Sequence, residues 1–169
     1  RSVVPISVNL SWMDFYDETL IEEIIDFLEH AEFPSRLIRF EITETSYAAL
    51  EENVGNVLNK IKEKGAWILL DDFGSGYSSF NMLQKFSFDI LKIDMSFTRE
   101  IEANSRARKL IPLIIEAAHA LDARTVAEGA ETKEQVEFLK EHGCDYIQGY
   151  YFYRPMKKDE FSEKLDQNS

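Results

Sequence analysis

Polar side chains of the kind that bind metal ions recur at the ends of short apolar segments in this sequence. Successive side chains of a strand point to opposite faces. These residues fall on the face opposite the apolar set, which we expect to pack under the helices. A single acid at such a place is more commonly a helix N-cap or a solvated loop residue. Four potential metal ligands and one lysine at such places, on five successive predicted strands, indicate a shared site: Asn9, Glu41, Asp71, Lys92 and Glu128.

The residue types define the chemistry that such a site could perform. Converging carboxylates stay ionised together only beside cations, and carboxylate and amide oxygens suit hard ions such as Mg²⁺ or Mn²⁺. The three histidines (His30, His119 and His142) fall in predicted helices without ligand spacing, which argues against zinc. Two such ions bridged by a carboxylate can activate water and neutralise a phosphoryl group, and a neighbouring lysine can orient the water. These residues alone indicate a metal-assisted hydrolase or lyase without specifying its substrate.

Six β-type segments alternate with helical patterns, which predicts right-handed βαβ units and a parallel sheet. The predicted strands lie at about 4–10, 36–43, 66–71, 88–94, 123–128 and 144–150. Helical stripes are predicted within 20–28, 50–61 and 110–121, in a helix from Thr132 to about Gly143, and at 158–165. An open doubly wound sheet and a closed (β/α)₈ barrel both fit this rhythm. Polar residues at the strand ends favour the barrel, whose active sites lie at the carboxyl ends of its strands.

Composition narrows the classes of partner. The 169 residues carry a net charge of −12, which argues against duplex nucleic acid or an anionic membrane as the main partner. The single cysteine, Cys144, fits a reducing compartment and excludes an internal disulfide. We expect a cytoplasmic domain without signal peptide or membrane span. We also expect it to start inside a larger protein, because it begins with Arg1 rather than Met, directly before an apolar run.

The strand-end segments resemble those of the EAL-domain phosphodiesterases, in order and over nearly the whole chain. The resemblance implies a TIM-like (β/α)₈ barrel of the EAL type, with about six of the eight β/α units in residues 1–169 and the N-terminal strands lacking. The matching motifs are Ser7-Val-Asn-Leu-Ser11, Glu41-Ile-Thr-Glu-Thr45, Asp71-Asp-Phe-Gly-Ser-Gly-Tyr-Ser-Ser79, Lys92-Ile-Asp94, Ala127-Glu-Gly-Ala-Glu-Thr132, and Gln148-Gly-Tyr150 with Arg154-Pro-Met156.

The resemblance also implies a role for each matching residue. Two Mg²⁺ or Mn²⁺ ions would be held by Asn9, Glu41, Asp71, Asp72 and Glu128. Lys92, with Asp72 and Glu128, would serve catalysis by orienting the attacking water. Substrate contacts would come from Gln148, Arg154 and Pro155. Glu44 would anchor the loop that follows Asp72, and Glu131 would support the metal ligands from behind.

The implied activity is hydrolysis of one 3′–5′ phosphodiester of cyclic di-GMP to linear pGpG. The alternatives are a non-catalytic EAL-like receptor for cyclic di-GMP and another metal-dependent barrel of the enolase or glycerophosphodiesterase kind. The Glu-Ala-Leu tripeptide that names the family does not occur in these residues. We therefore expect an active parent protein, a nearly inactive 1–169 segment, and self-association through exposed strand edges.

Overall fold

The computed structural model describes residues 3–11, 13–43, 52–75, 83 and 87–167, and Glu44 lies outside them. The strands are β1 (Ile6–Asn9), β2 (Ile38–Thr43), β3 (Trp67–Phe73), β4 (Ile90–Ile93), β5 (Arg124–Ala127) and β6 (Tyr146–Ile147). The helices are α1 (Glu18–His30), α2 (Glu52–Glu63), α3 (Met95–Glu100), α4 (Ser105–His119), α5 (Lys133–Glu141) and α6 (Lys158–Gln167). Among the described residues, no helix is long and apolar enough to cross a membrane.

The strand order decides between the two architectures that the sequence left open. The six strands pair in parallel and in chain order, from β1 through to β6. A doubly wound sheet reverses direction partway along its strand order, and no such reversal occurs here. The six parallel strands thus form a partly closed barrel, as the sequence predicted.

The two faces of the sheet carry different apolar layers. The larger layer lies between strands and helices and includes Phe40, Ile68 and Leu91. A small one on the opposite, inner face consists of Leu69, Ile90 and Val126, with Trp67 against it. The inner face therefore has room for polar groups beyond this thin apolar layer.

Two predictions about apolar faces were wrong. Ile6 and Val8 of β1 were expected to pack under helices, yet they are 61% and 43% exposed, because β1 is an edge strand of the described sheet. Of the stripe predicted within 110–121, Leu110, Leu113 and Leu121 are exposed, whereas Ile114 packs against the core. The buried face of α4 is offset by one residue: Ala107, Ile111, Ile115 and Ala118.

The strand boundaries also differ from those expected. The last strand, predicted at 144–150, pairs only through Tyr146 and Ile147. The third strand runs longer than predicted and includes Asp72 and Phe73, a difference that matters for the site.

Candidate metal centre

Side chains from four neighbouring strands meet at the carboxyl end of the inner face, around the Lys92 ammonium. Its Nζ lies 2.9 Å from Glu41 Oε2, 2.8 Å from Asp71 Oδ1 and 3.0 Å from Glu128 Oε1. Lys92 is only 6% exposed, so these contacts are shielded from bulk water. The structure thus brings together four of the five strand-end residues singled out in the sequence.

A β-bulge adds Asp72 to this group. In a regular strand Asp71 and Asp72 would point to opposite faces. Leu70 pairs with Leu91 and Phe73 with Ile93, so β3 holds one more residue than β4 at this place. Asp72 adopts a left-handed backbone with φ 56°, which non-glycine residues rarely adopt. Oxygens of Asp71, Asp72 and Glu128 consequently lie within 4.8 Å of one another.

Glycines on either side of the cluster permit this backbone path. Gly74, just after the bulge, has φ 98°, and a Cβ there would lie 2.2 Å from the Phe97 ring. Gly129, directly after Glu128, has φ 72°, and its Cβ would lie 2.6 Å from Met95 Cβ. A side chain at either position would be strained by the positive φ and would collide with Phe97 or Met95.

The electrostatics of the cluster favour an additional cation. Burial raises the pKa of Asp72, and the charges of Asp71 and Asp94 raise it further. Burial also raises the pKa of Glu128, where hydrogen bonding to Lys92 acts in the opposite direction. For Lys92, burial lowers the pKa, but hydrogen bonds to Asp71, Glu41 and Glu128 outweigh burial and leave the pKa raised. One ammonium is therefore shared among several carboxylates that would be stabilised by more positive charge.

The donor set fits a divalent ion with a preference for oxygen ligands. Asp71, Asp72 and Glu128 offer carboxylate oxygens close enough to share an ion, and no His or Cys joins this group among the described residues. Oxygen-only coordination is typical of Mg²⁺, Mn²⁺ and Ca²⁺. Glu41 is not one of these three residues, but it contacts the same Lys92 ammonium.

The remaining predicted residues lie around this centre at varying depth. Asn9 pairs in register with Glu41 and is exposed. Gln148, Glu128 and Glu131 line one cleft of about 160 Å³. Gln148 also borders a larger cleft of about 450 Å³ with Arg154 and Pro155.

Two further residues near the centre were not among the predicted site residues. Asp94 caps α3 by accepting from the Ser96 amide at 2.9 Å, and its charge acts on Asp72. The sequence does indicate Asp94, because it follows Lys92 by two positions and so falls on the same face of the predicted strand. Arg99 borders the smaller cleft with Nη2 3.6 Å from Glu131 Oε1, and no motif pointed to it.

Similar curated proteins extend well beyond this chain. Cyclic di-GMP phosphodiesterase NbdA of Pseudomonas aeruginosa is 34% identical over 151 residues, which cover 89% of this chain and 19% of that protein. Signaling protein YkoW of Bacillus subtilis is 34% identical over 158 residues, covering 94% of this chain and 20% of the relative. The chain thus spans about a fifth of the length of these relatives.

Solved structures share the same fold. The PaMucR phosphodiesterase in its c-di-GMP complex superposes with a TM-score of 0.84 at 31% identity, covering 93% of this chain and 64% of that one. The EAL domain of Mycobacterium smegmatis DcpA superposes with a TM-score of 0.89 at 27% identity, covering 96% of this chain and 73% of that one. Klebsiella pneumoniae BlrP1, in a manganese/cy-diGMP complex, superposes with a TM-score of 0.82 at 28% identity, covering 89% of this chain and 39% of that one. The EAL domain family model matches residues 1–155, and the chain belongs to the EAL domain family.

Proposed function

We propose that this chain supplies the catalytic centre of a metal-dependent phosphodiesterase that hydrolyses one 3′–5′ bond of cyclic di-GMP to linear pGpG. The observation that carries the proposal is the convergence of Asp71, Asp72 and Glu128 within 4.8 Å, beside a buried Lys92. Family membership and the phosphodiesterase relatives support cyclic di-GMP as the substrate.

Divalent ions bound here would polarise a phosphoryl oxygen and make a water molecule nucleophilic at neutral pH. Asp71, Asp72 and Glu128 would hold them, with Asn9 and Glu41 beside these three. We assign these ions to Mg²⁺ or Mn²⁺, two in the complete centre. A BlrP1 structure is a manganese complex and another a calcium complex, which supports oxygen-liganded divalent ions at this kind of site.

The chain's own residues then position the reaction. Lys92, fixed by three carboxylates, holds a positive charge where the attacking water and the phosphoryl oxygens would lie. Glu128, whose carboxylate lies 3.0 Å from the Lys92 ammonium, would help Lys92 and Asp72 to orient the attacking water. Gln148, Arg154 and Pro155 line the clefts beside this centre, and we assign them to substrate contact.

The decisive experiment is turnover of cyclic di-GMP with Mn²⁺ or Mg²⁺, followed by separation of cyclic and linear dinucleotides. It is run on the 1–169 chain and on the longest natural polypeptide that contains it. In the longer polypeptide, Asp71→Ala should lower the rate of cyclic di-GMP hydrolysis by about 10²-fold or more, since it removes an oxygen ligand and a Lys92 contact. Asp26→Ala, an exposed acid of α1 away from the centre, should leave the rate unchanged. Ligand binding without turnover in every form would instead establish a receptor.

We also propose that the chain self-associates through its sheet edges. β1 and β6 are the edge strands of the described sheet, and β1 exposes Ile6 and Val8. Unpaired edges with apolar side chains favour pairing with another copy. Sedimentation velocity should show a dimer that Val8→Lys weakens, and a monomer at all concentrations would refute the proposal.

A further inference from the structure

A second polar cluster lies on the inner face, at the amino end of the strands. The guanidinium carbon of Arg39 is 5.1 Å from the centroid of the Trp67 ring. That of Arg124 is 5.2 Å from the same centroid, so the two guanidinium carbons are at most about 10 Å apart. Arg124 Nη1 also donates to Tyr146 Oη at 2.6 Å. We call Arg39, Trp67, Arg124 and Tyr146 the arginine cluster.

The arginine cluster is separate from the carboxylate centre. Trp67 precedes Asp71 by four residues on β3, and Arg124 precedes Glu128 by four along β5. At about 3.3 Å per residue, this spacing corresponds to roughly 13 Å. The apolar layer of Leu69, Ile90 and Val126 lies on the inner face between the two.

The positive charges of this cluster have no anionic partner within the part of the chain that the structure describes. Neither Arg39 nor Arg124 forms an ion pair there, although the chain carries an excess of acids. Arg39 Nε is buried and lacks a hydrogen-bond partner. Buried polar groups normally have such partners, so the Arg39 guanidinium retains unused hydrogen-bonding capacity.

The cluster is reachable from solvent. Arg124 is exposed, Tyr146 is 38% exposed, and Arg39 and Trp67 are partly buried. The indole lies against both guanidinium groups and limits their freedom, so that less conformational entropy is lost when an anion binds.

We propose that the arginine cluster binds a phosphate dianion, either inorganic phosphate or a phosphomonoester, at the end of the barrel opposite the carboxylate centre. Guanidinium groups bind phosphate oxygens through paired N–H donors. A dianion can neutralise both arginines, whereas a single carboxylate leaves one positive charge unbalanced. The Tyr146 hydroxyl, which accepts from Arg124, keeps its own proton to donate to a phosphate oxygen.

The test uses Trp67 as its reporter. The chain has two tryptophans, so Trp12→Phe leaves Trp67 as the sole indole. Inorganic phosphate is titrated against this variant at constant ionic strength with chloride, in EDTA to remove divalent ions from the carboxylate centre. We expect a saturable change in Trp67 fluorescence, which acetate does not reproduce.

Substitutions locate the binding. Arg39→Met and Arg124→Met should each weaken phosphate binding about tenfold or more, while Arg106→Met, at an exposed position of α4, leaves it unchanged. Circular dichroism without phosphate confirms that each variant is folded, and ³¹P line broadening on the unmodified chain gives a second measurement without Trp12→Phe. If the Arg39→Met and Arg124→Met variants bind phosphate as tightly as the parent, the proposal is overturned. It is also overturned if Trp67 fluorescence shows no saturable change with phosphate, or if acetate produces the same change. A phosphomonoester such as GMP, compared with inorganic phosphate, then identifies which source binds more tightly.

Discussion

Replacing Lys92 with methionine is expected to destabilise the chain strongly in metal-free buffer. The substitution removes an ammonium that contacts three carboxylates at 2.8–3.0 Å but keeps most of its apolar stem. Two unit charges 4.8 Å apart, the upper limit within the carboxylate group, repel by about 3.5 kcal/mol at an effective dielectric constant of 20. Removing one side of a buried ion pair typically costs about 3–5 kcal/mol. We expect Lys92→Met to lower the free energy of unfolding by about that amount.

Divalent ions should reverse part of this loss. An ion at 100 times its dissociation constant stabilises the folded state by about 2.7 kcal/mol. Without the competing ammonium, the variant should bind Mn²⁺ more tightly than the parent, so the stability difference between them narrows as Mn²⁺ is added. Urea unfolding followed by circular dichroism, in EDTA and in Mn²⁺, measures both differences.

A matched lysine elsewhere serves as the control. Lys62 pairs with Asp89 Oδ1 at 3.0 Å and donates to Ser87 Oγ at 2.7 Å, away from the centre. Its side chain is 22% exposed, so Lys62→Met should cost about 1 kcal/mol or less, equally in EDTA and in Mn²⁺. If Lys92→Met lowers the free energy of unfolding no more than Lys62→Met does, or if Mn²⁺ does not reduce its loss, Lys92 does not balance the charges of these carboxylates.

The remaining predictions concern the bulge and the base of β5. Gly74→Ala should lower the free energy of unfolding by roughly 1–3 kcal/mol and weaken Mn²⁺ binding, because the φ of 98° and the Phe97 ring exclude a Cβ. Unchanged Mn²⁺ affinity in a calorimetric titration would contradict this. Asp145→Ala should cost about 1–3 kcal/mol at pH 7, since Asp145 accepts from the Thr125 amide at 2.8 Å. The pKa of Asp145 is lowered, because hydrogen bonds from His119 and Thr125 outweigh its burial. Its ionised form therefore stabilises the fold above the usual pKa of 3.8, and this contribution is lost as the pH falls through the lowered value. The stability gap between parent and variant should accordingly close in acid, and a gap independent of pH down to full protonation would contradict the assignment.

Strand alternation was enough to predict much of the centre. Glu41, Asp71, Lys92 and Glu128 share an inner face because a two-residue period fixes which side chains lie together. The alternation of strands with helices predicted a parallel sheet, and the polar strand ends favoured the barrel, whose strands follow in chain order.

What alternation could not predict depends on broken periodicity or on contacts between distant segments. Asp72 reaches the centre only because a bulge and a left-handed backbone turn it toward Asp71. The exposure of Val8 depends on which strand lies at the edge, which periodicity does not encode. The contact between Arg39 and Trp67 arises from the register between β2 and β3, which the sequence does not specify.

The most direct test of the account is to locate Mn²⁺ by anomalous X-ray scattering from crystals of this chain. We predict a peak about 2.0–2.6 Å from carboxylate oxygens of Asp71, Asp72 and Glu128, the range of hard-cation coordination. Saturating Mn²⁺ with no peak there, or with peaks only on exposed surface acids, would contradict the claim that this cluster is a metal centre.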